Sequence, residues 1–564
     1  MTARGETGGA LRFIPSISWL KAYQRAWLRP DLLAGLSAAA VVLPKALAYA
    51  AIAGLPVQVG LYTAFIPPIV YAFLGTSRPL SVSTTTTIAI LSATALGGLV
   101  PSGDHAQLLV ASATLAVLVG AVLMVASFAR LGFVPNFISD PVLTGFKSGI
   151  GLVIVVDQLP KLLGVHIEKV GFFRNVWRII EHVPETSLPT LAVAASVLVL
   201  IFLMEHFVPR APVPLIVVAL AILATWLLGL EAHGVSTVGT VAGGLPSLTL
   251  PRLEWVEELW PSAVGIALMS FTESIAAARA FGTPEEPRPT PNQELLALGA
   301  ANAAGGLIGA MPAGGGTSQT AVNRKAGAKT QLAEVVTGLT ALAALLVLAR
   351  FIGMMPQAAL AAVVVAYSVE LIKPAEFRKI LKVRRTEFSW ALVALVGVAV
   401  LGTLKGIVAA VIASLVSLAQ QAVAPPVYRL ARKRGTNVFR AVTEEHPDDE
   451  SWPGLLLLRV EGRVFFANAE RIGDQIWPMV HEFEPKVVVI DMSAVIDLEY
   501  TALRMLDEAE QKAKEDGVEL WLAALNPEVL ATVRRSPLGE RLRDERLFFN
   551  LEAAVERFRE RTAT

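Results

Sequence analysis

Cysteine is missing from all 564 residues, which excludes disulfides, thiolate metal sites and thiol chemistry. Charge is scarce: Asp, Glu, Lys and Arg make up 17% of the chain and balance to a net +1, a value that says nothing about partners. There is no His-Glu-x-x-His metal motif, and Gly327-Ala328-Lys329-Thr330 fails the phosphate-loop pattern because its Lys does not directly follow Gly. An enzyme, a metal centre, a cofactor and a nucleic-acid partner are therefore not expected. The N-terminus also lacks the charged, apolar and small-residue pattern of a signal peptide, so the first apolar segment is expected to direct insertion itself.

What the chain has in excess is apolar surface, with 54% hydrophobic residues and a mean hydropathy of +0.57. The first three quarters cannot be a soluble globule. Apolar stretches from Asp31 to Ala422 alternate with short polar links, and they read as about fourteen full or partial spans, several of them below the roughly 20 residues needed to cross hydrocarbon. Arg12, Lys21, Arg25 and Arg29 precede the first span. Alternate loops carry Arg78, Arg130, Arg210, Arg324, Lys325 and Lys329, then Arg378 to Arg385. The positive-inside rule makes these cytoplasmic, although Lys161, Arg178 and Arg252 run against the trend. Residues 170–182 are expected to form an interfacial helix. The expectation is a multi-pass protein of the plasma (inner) membrane, with a cytoplasmic N-terminal segment over 1–30 and a transmembrane domain over 31–424.

Two clusters inside the apolar region mark a working site: Ser81-Val82-Ser83-Thr84-Thr85-Thr86-Thr87 and Gly314-Gly315-Gly316-Thr317-Ser318-Gln319-Thr320. Each follows two apolar segments and opens a short helical stretch. Backbone broken at bilayer depth is tolerated only where protein or a water-filled cavity surrounds it. Paired half-helix N-termini present unpaired N–H groups and the positive end of a dipole, which favours an anion. Thr84 and Thr317 are 233 positions apart, and Lys45 and Glu273, in the first and eighth spans, are 228 apart. Such offsets imply duplicated halves, about 31–231 and 262–424, inverted because each holds an odd number of spans, seven.

Lys45 lies fourteen residues past Asp31, about 21 Å along a helix, too deep to snorkel, and Pro44 before it loosens the preceding turn. It supplies a positive charge for an anion, or it pairs with Glu273 to close the bundle. Glu273 can carry a proton with each substrate or help to hold sodium. Proton coupling is favoured, since Ala276 and Ala277 add no side-chain oxygens. Lys147 and Asp157 in the fifth span do not share a helix face and are assigned to structure.

Composition changes after Pro425-Pro426. Arg429–Arg434 is basic and expected against the cytoplasmic face; Glu444–Asp449 is acidic and expected as an exposed loop, within a linker over 425–453. A soluble domain follows over 454–560, with strands at Leu456–Val460 and Lys486–Ile490 and helices at Ala467–Glu482, Thr501–Asp516 and Glu528–Ser536. Val487-Val488-Val489-Ile490-Asp491-Met492-Ser493 with Asp497-Leu498-Glu499-Tyr500-Thr501-Ala502-Leu503 resembles the STAS domain of sulfate transporters and anti-sigma-factor antagonists. The antagonists place a phosphorylated Ser or Thr where Thr501 stands. Glu499 and Tyr500 depart from their Asp-Ser pattern, and Thr501 equally reads as a residue that caps or opens its helix.

Asp31-Leu32-Leu33-Ala34-Gly35-Leu36, Leu43-Pro44-Lys45-Ala46-Leu47-Ala48-Tyr49-Ala50 and Leu74-Gly75-Thr76-Ser77-Arg78 resemble the start of the sulfate permease (SulP) family. Ser139-Asp140-Pro141-Val142, Asn292-Gln293-Glu294-Leu295 and Ala326-Gly327-Ala328-Lys329-Thr330-Gln331 continue the resemblance. It implies a polytopic α-helical membrane protein of fourteen spans in two inverted seven-span repeats, divided into core and gate subdomains. It also implies elevator-like movement, a homodimer among membrane lipid, and secondary active transport of sulfate, bicarbonate, chloride or dicarboxylates. The family commonly has Gln in place of Lys45 and often Arg in place of Gln319, so this chain exchanges which partner holds the cation. Ser83, Thr84 and Thr85 replace a Gly-Pro-Phe-like opening and add hydroxyl donors suited to an oxyanion. Each of these hydroxyls equally reads as a helix cap. The expected substrate site is Lys45, Tyr49, Ser83, Thr84, Thr85, Gly316, Thr317, Ser318 and Gln319, with Glu273 for ion coupling, to a proton or to sodium, and Thr501 for regulation. Sulfate with proton symport is the leading expectation. Bicarbonate or dicarboxylate transport, a nucleobase symporter of the same fold, and a channel or voltage-responsive motor are the alternatives.

Overall fold

The computed structural model describes residues 15–563 apart from 101–102, 138, 168–170, 209–210 and 242. Arg12 and Arg210 lie outside the described residues. The chain divides into two units near residue 416.

The first unit is helical: α1 (Ser16–Lys21), α2 (Arg25–Ile52), α3 (Gln58–Leu74), β1 (Val82–Ser83), α4 (Thr86–Leu99), α5 (His105–Phe128), α6 (Asp140–Leu163), α7 (Phe172–His182), α8 (Leu188–Phe207), α9 (Val213–Leu228), α10 (Val256–Phe281), α11 (Pro291–Leu307), β2 (Gly314–Gly315), α12 (Thr317–Lys325), α13 (Leu332–Gly353), α14 (Gln357–Val369), α15 (Pro374–Val383), α16 (Arg385–Leu401) and α17 (Thr403–Val423). Among the described residues, seven helical segments are long and apolar enough to cross a membrane, and four shorter apolar ones accompany them. Residue 170 of the expected interfacial segment is outside the described residues. From Phe172 that segment is α7, with Phe173, Trp177 and Ile180 exposed.

Two groups of helices emerge. In one, α11 runs along α5, α13 along α3 and α2, and α10 along α5 and α4. Small residues allow these approaches: a Cβ on Gly120 of α5 would stand 2.6 Å from the Gly299 carbonyl of α11, and one on Gly299 would stand 2.9 Å from the Gly120 carbonyl. Without a hydrophobic driving force between helices in lipid, such backbone proximity carries packing. In the other group α16 runs along α6, and α14 along α6 and α8. The groups meet where α2 touches α14 and α9, and where α4 touches α6.

The second unit holds a six-stranded sheet, order β4-β3-β5-β6-β7-β8, formed by β3 (Val427–Arg432), β4 (Phe439–Ala441), β5 (Leu455–Val460), β6 (Val487–Asp491), β7 (Glu519–Ala523) and β8 (Leu547–Phe548). Strands β5 to β8 are parallel, and β3 runs antiparallel to both β4 and β5. Alternation along the strands sends Leu456, Val488 and Leu520 into one core, with α18 (Ala469–Phe483) and α19 (Tyr500–Glu515) on that face. Leu457, Val489 and Trp521 enter the core on the opposite face, covered by α22 (Leu551–Ala563), which follows α20 (Pro527–Arg534) and α21 (Pro537–Leu542). Burial on both faces is what parallel strands require. The segment expected as a linker supplies β3 and β4. Three of its arginines are engaged: Arg432 pairs with Glu450 at 2.6 Å, Arg440 with Asp449 at 2.7 Å, and Arg429 lies over the Phe483 ring.

Candidate functional site

The two interrupted segments meet. β1 and β2 pair antiparallel, Val82 opposite Gly315 and Ser83 opposite Gly314, and α4 and α12 start two or three residues beyond that crossing. Side chains fix the short ladder. The Thr320 hydroxyl accepts from Ser81 N at 3.1 Å, Glu334 Oε2 accepts from Val82 N at 3.0 Å, and Ser274 Oγ accepts from Gly315 N at 2.6 Å. Gln319 Nε2 reaches across from α12 to the Ser81 carbonyl at 3.1 Å and to Ser83 Oγ at 2.9 Å. The first N–H groups of α4 and α12 have no partner within their own helices, so both positive ends open beside one crossing.

The predicted residues distribute unevenly around it. Thr317 and Ser318 at the tip of α12 are exposed, while Gly316 and Gln319 are buried. Thr85 is the N-cap of α4, its hydroxyl accepting from Ile88 N at 3.4 Å. Thr84 is fully buried, and among the described residues its hydroxyl has no hydrogen-bond partner. The Tyr49 hydroxyl accepts from Thr86 Oγ1 at 3.0 Å, which brings α2 to the first turn of α4. Lys45, one turn earlier, is buried; its Nζ stands 4.1 Å from the centre of the Tyr367 ring on α14, a cation–π contact.

Glu273 on α10 joins the α4 tip. Its Oε2 accepts from Thr85 Oγ1 at 2.8 Å and its Oε1 from Thr87 Oγ1 at 2.9 Å. Its ionic partner is Lys147 of α6 at 3.5 Å, not Lys45. The closure of the bundle by a Lys45–Glu273 pair is thus replaced by a Lys147–Glu273 pair, and Lys147, read from sequence as structural, belongs to this cluster. Among the described residues no salt bridge is formed by Lys45. Asp157 lies elsewhere, accepting from Asn175 Nδ2 at 3.3 Å.

Further residues that sequence reasoning did not single out as functional turn out to be joints between motifs. Asp31 accepts from Lys329 N at 2.6 Å and from Thr330 Oγ1 at 2.6 Å, tying the first motif to the segment before α13. Glu294 accepts from Tyr71 Oη and Thr76 N, each at 2.7 Å. Gln331 Nε2 donates to the Ser77 and Leu80 carbonyls. Their signal was present in the quoted motifs; what the sequence lacks is the pairing. In the second unit, Thr501 is the second residue of α19 and half-buried. The N-cap is Glu499, so Thr501 opens the helix rather than capping it.

A helical membrane unit with crossed broken helices and an attached α/β domain defines a multi-pass transporter carrying a STAS domain. The chain belongs to the sulfate permease family: residues 28–394 match the family and residues 443–554 match the STAS domain. This is a family of membrane transporters, not enzymes. A probable sulfate transporter of Mycobacterium tuberculosis strain H37Rv is 33% identical over 565 residues, spanning 100% of this chain and 99% of its own length. The chloroplastic sulfate transporter 4.1 of Arabidopsis thaliana is 29% identical, spanning 96% of this chain and 82% of its own. In fold, the murine solute carrier 26 member A9 anion transporter, solved inward-facing, superposes with a TM-score of 0.88 at 22% identity, over 98% of this chain and 96% of that one. The transmembrane domain of the cyanobacterial bicarbonate transporter BicA gives 0.61 at 24% identity, over 69% and 98%.

Proposed function

We propose that the chain is a secondary active transporter of a small oxyanion, sulfate first, which it binds between the tips of α4 and α12 and carries by movement of one helix group against the other. The observation that carries this reading is the β1–β2 crossing, beside which α4 and α12 both begin. Helix N-termini bind anions through free N–H groups and the helix dipole. Lys45, which has no ion partner among the described residues, supplies the cation. Sulfate is favoured over bicarbonate and dicarboxylates because the relatives with near-complete coverage are named sulfate transporters.

Inverted repeats are supported by the packing, in which each pairing has a counterpart: α5 with α11 and α3 with α13, α6 with α16 and α8 with α14, α4 with α10 and α2 with α12. Core and gate then correspond to the two helix groups. Glu273 is the coupling residue of this scheme: a proton on its carboxylate weakens the tie to Lys147 and frees the core to move. A homodimer in the plasma membrane with a cytoplasmic STAS domain completes the reading. In proteoliposomes, labelled sulfate uptake under an inward proton gradient, competed by bicarbonate, dicarboxylates and uracil, tests it. Saturable, proton-stimulated sulfate uptake is expected; uracil uptake without sulfate uptake, or large unitary currents, would sink it.

A further inference from the structure

The second unit encloses a cavity that the transport scheme above does not use. It lies between α18, α19 and the sheet face that carries Val488 and Leu520, and its volume is about 260 Å³. The walls are apolar, with Ile472, Leu498, Ala502 and Met505 among them. Among the described residues, only Glu470 and Asp474 bring charge to the lining. Both are exposed on α18, one turn apart, and half-buried Gly473 stands between them. The cavity thus comes to the surface beside two carboxylates.

Two observations separate this space from a packing fault. The first is its size: an apolar cavity of about 150 Å³ stays dry and takes up benzene, and the penalty for an empty cavity rises with its volume, against a domain stability that is only marginal. The second is Gly473. Its φ is not left-handed, and the nearest side-chain atom to a Cβ at that position is Trp477 Cδ1 at 3.9 Å. Neither backbone conformation nor close packing calls for glycine there, although glycine is the poorest helix former after proline. Its effect is to leave the mouth unobstructed between Glu470 and Asp474. Those carboxylates outweigh the partial positive charge of the α18 N-terminus, and the neighbouring cation, Lys512, is turned onto the Trp477 ring at 4.7 Å. We propose that the cavity binds the aliphatic chain of a small amphiphile whose ammonium head is held by Glu470 and Asp474. A carboxylate head would meet two like charges at the same mouth. The proposal stands independently of the anion reading above.

The absence of cysteine from the chain supplies the test. Ala509 lines the cavity from α19, so Ala509→Cys places the sole thiol of the full-length protein inside it, and Glu508→Cys places one on the exposed side of the same helix. The rate of thiol exchange with dithiodipyridine is measured in nanodiscs with n-hexylamine, n-hexanol or hexanoate present. Hexylamine should slow Ala509→Cys several-fold and in a saturable way, hexanol less and hexanoate least, while Glu508→Cys is unaffected. Adding Gly473→Phe should abolish the protection by closing the mouth. Adding Glu470→Gln with Asp474→Asn should leave hexylamine no better than hexanol. The proposal is overturned if no probe protects Ala509→Cys, if hexanoate protects as well as hexylamine, or if Glu508→Cys slows equally. Should Ala509→Cys fail to fold, hydrogen exchange of α18 and α19 peptides in the unsubstituted protein decides: slower exchange with hexylamine than with hexanoate is expected, and identical exchange overturns the proposal.

Discussion

Lys147 and Glu273 form an ion pair at 3.5 Å that joins α6 of one helix group to α10 of the other. The pair is only partly enclosed, with the lysine side chain 28% exposed and the glutamate 9%. It is also the point where the tip of α4 is held, since Thr85 and Thr87 donate to the same carboxylate. Under the proposed movement of one group against the other, this contact would have to break and reform.

Lys147→Gln is therefore expected to lower stability by about 1–3 kcal/mol, the range for leaving one partner of a charged hydrogen-bonded pair unsatisfied. Glu273→Gln should cost a similar amount. The double variant should be less destabilised than the sum, because each single change removes the same interaction. Thermal unfolding of the four proteins in one detergent gives the cycle. In transport, Glu273→Gln should abolish the dependence of sulfate flux on the proton gradient while leaving exchange measurable.

The glycine contact between α5 and α11 predicts a packing failure. Gly299→Val would push its side chain against the Gly120 carbonyl and Met124, whose Cγ stands 2.7 Å from a Cβ at that position. Overpacking of this type costs about 1–3 kcal/mol, occasionally more, and here the nearest atoms include backbone. The expected outcome is a protein that elutes as aggregate in size-exclusion chromatography, with Leu298→Met at the neighbouring position behaving as wild type.

How much of this was legible beforehand depends on the range of the interaction. The two interrupted segments stood out because Ser, Thr and Gly runs inside apolar stretches violate a local rule. Their meeting at Val82 and Gly315 followed from the repeat offset. Lys147 was not legible. Its partner is on a helix far along the chain, and a lone lysine seven residues into a span reads equally well as an interfacial residue. Strand β3 was hidden for a different reason: Val427, Leu430 and Ala431 face inward, but Arg429, Arg432, Lys433 and Arg434 dominate the composition and suggested a basic segment against the cytoplasmic face. Charge pattern and strand pattern coexist there because the arginines are spent on Glu450 and Phe483.

Acid sensitivity in the second unit has a defined sign. Hydrogen bonding from Arg561 holds the Glu519 carboxyl below its ordinary 4.5, with the Trp521 indole N–H assisting. A carboxylate depressed on folding contributes stability that is fully present above its unfolded value and is lost as pH falls through its folded value. Strand β7 should therefore lose protection as pH drops below 4.5. Arg561→Ala should lower protection at neutral pH and flatten the dependence. Hydrogen exchange of β7 peptides in the full-length protein, compared between wild type and variant at each pH, reads this directly. The effect will be modest, because the pair is exposed and water screens it.

Gln319 offers the sharpest separation of positioning from charge. Its amide donates to the Ser81 carbonyl and to Ser83 Oγ across the crossing, at the position where the family resemblance implies Arg. Gln319→Ala leaves both acceptors to find other donors in a buried place, a loss of about 1–2 kcal/mol, and loosens the register between the α4 and α12 tips. Sulfate affinity should fall roughly 5- to 30-fold, with little change in the salt dependence of uptake because no charge has been removed. Lys45→Gln should weaken affinity as well, and because Lys45 is buried and little screened by salt, that loss should persist as ionic strength rises. Gln319→Arg combined with Lys45→Gln moves the cation from α2 to α12, the placement that the family resemblance implies, and recovery of uptake in that double variant, measured against either single one, is the expected sign that the two positions address one anion. Additive losses in the double variant would instead separate Lys45 from the helix tips and assign it to its contact with Tyr367.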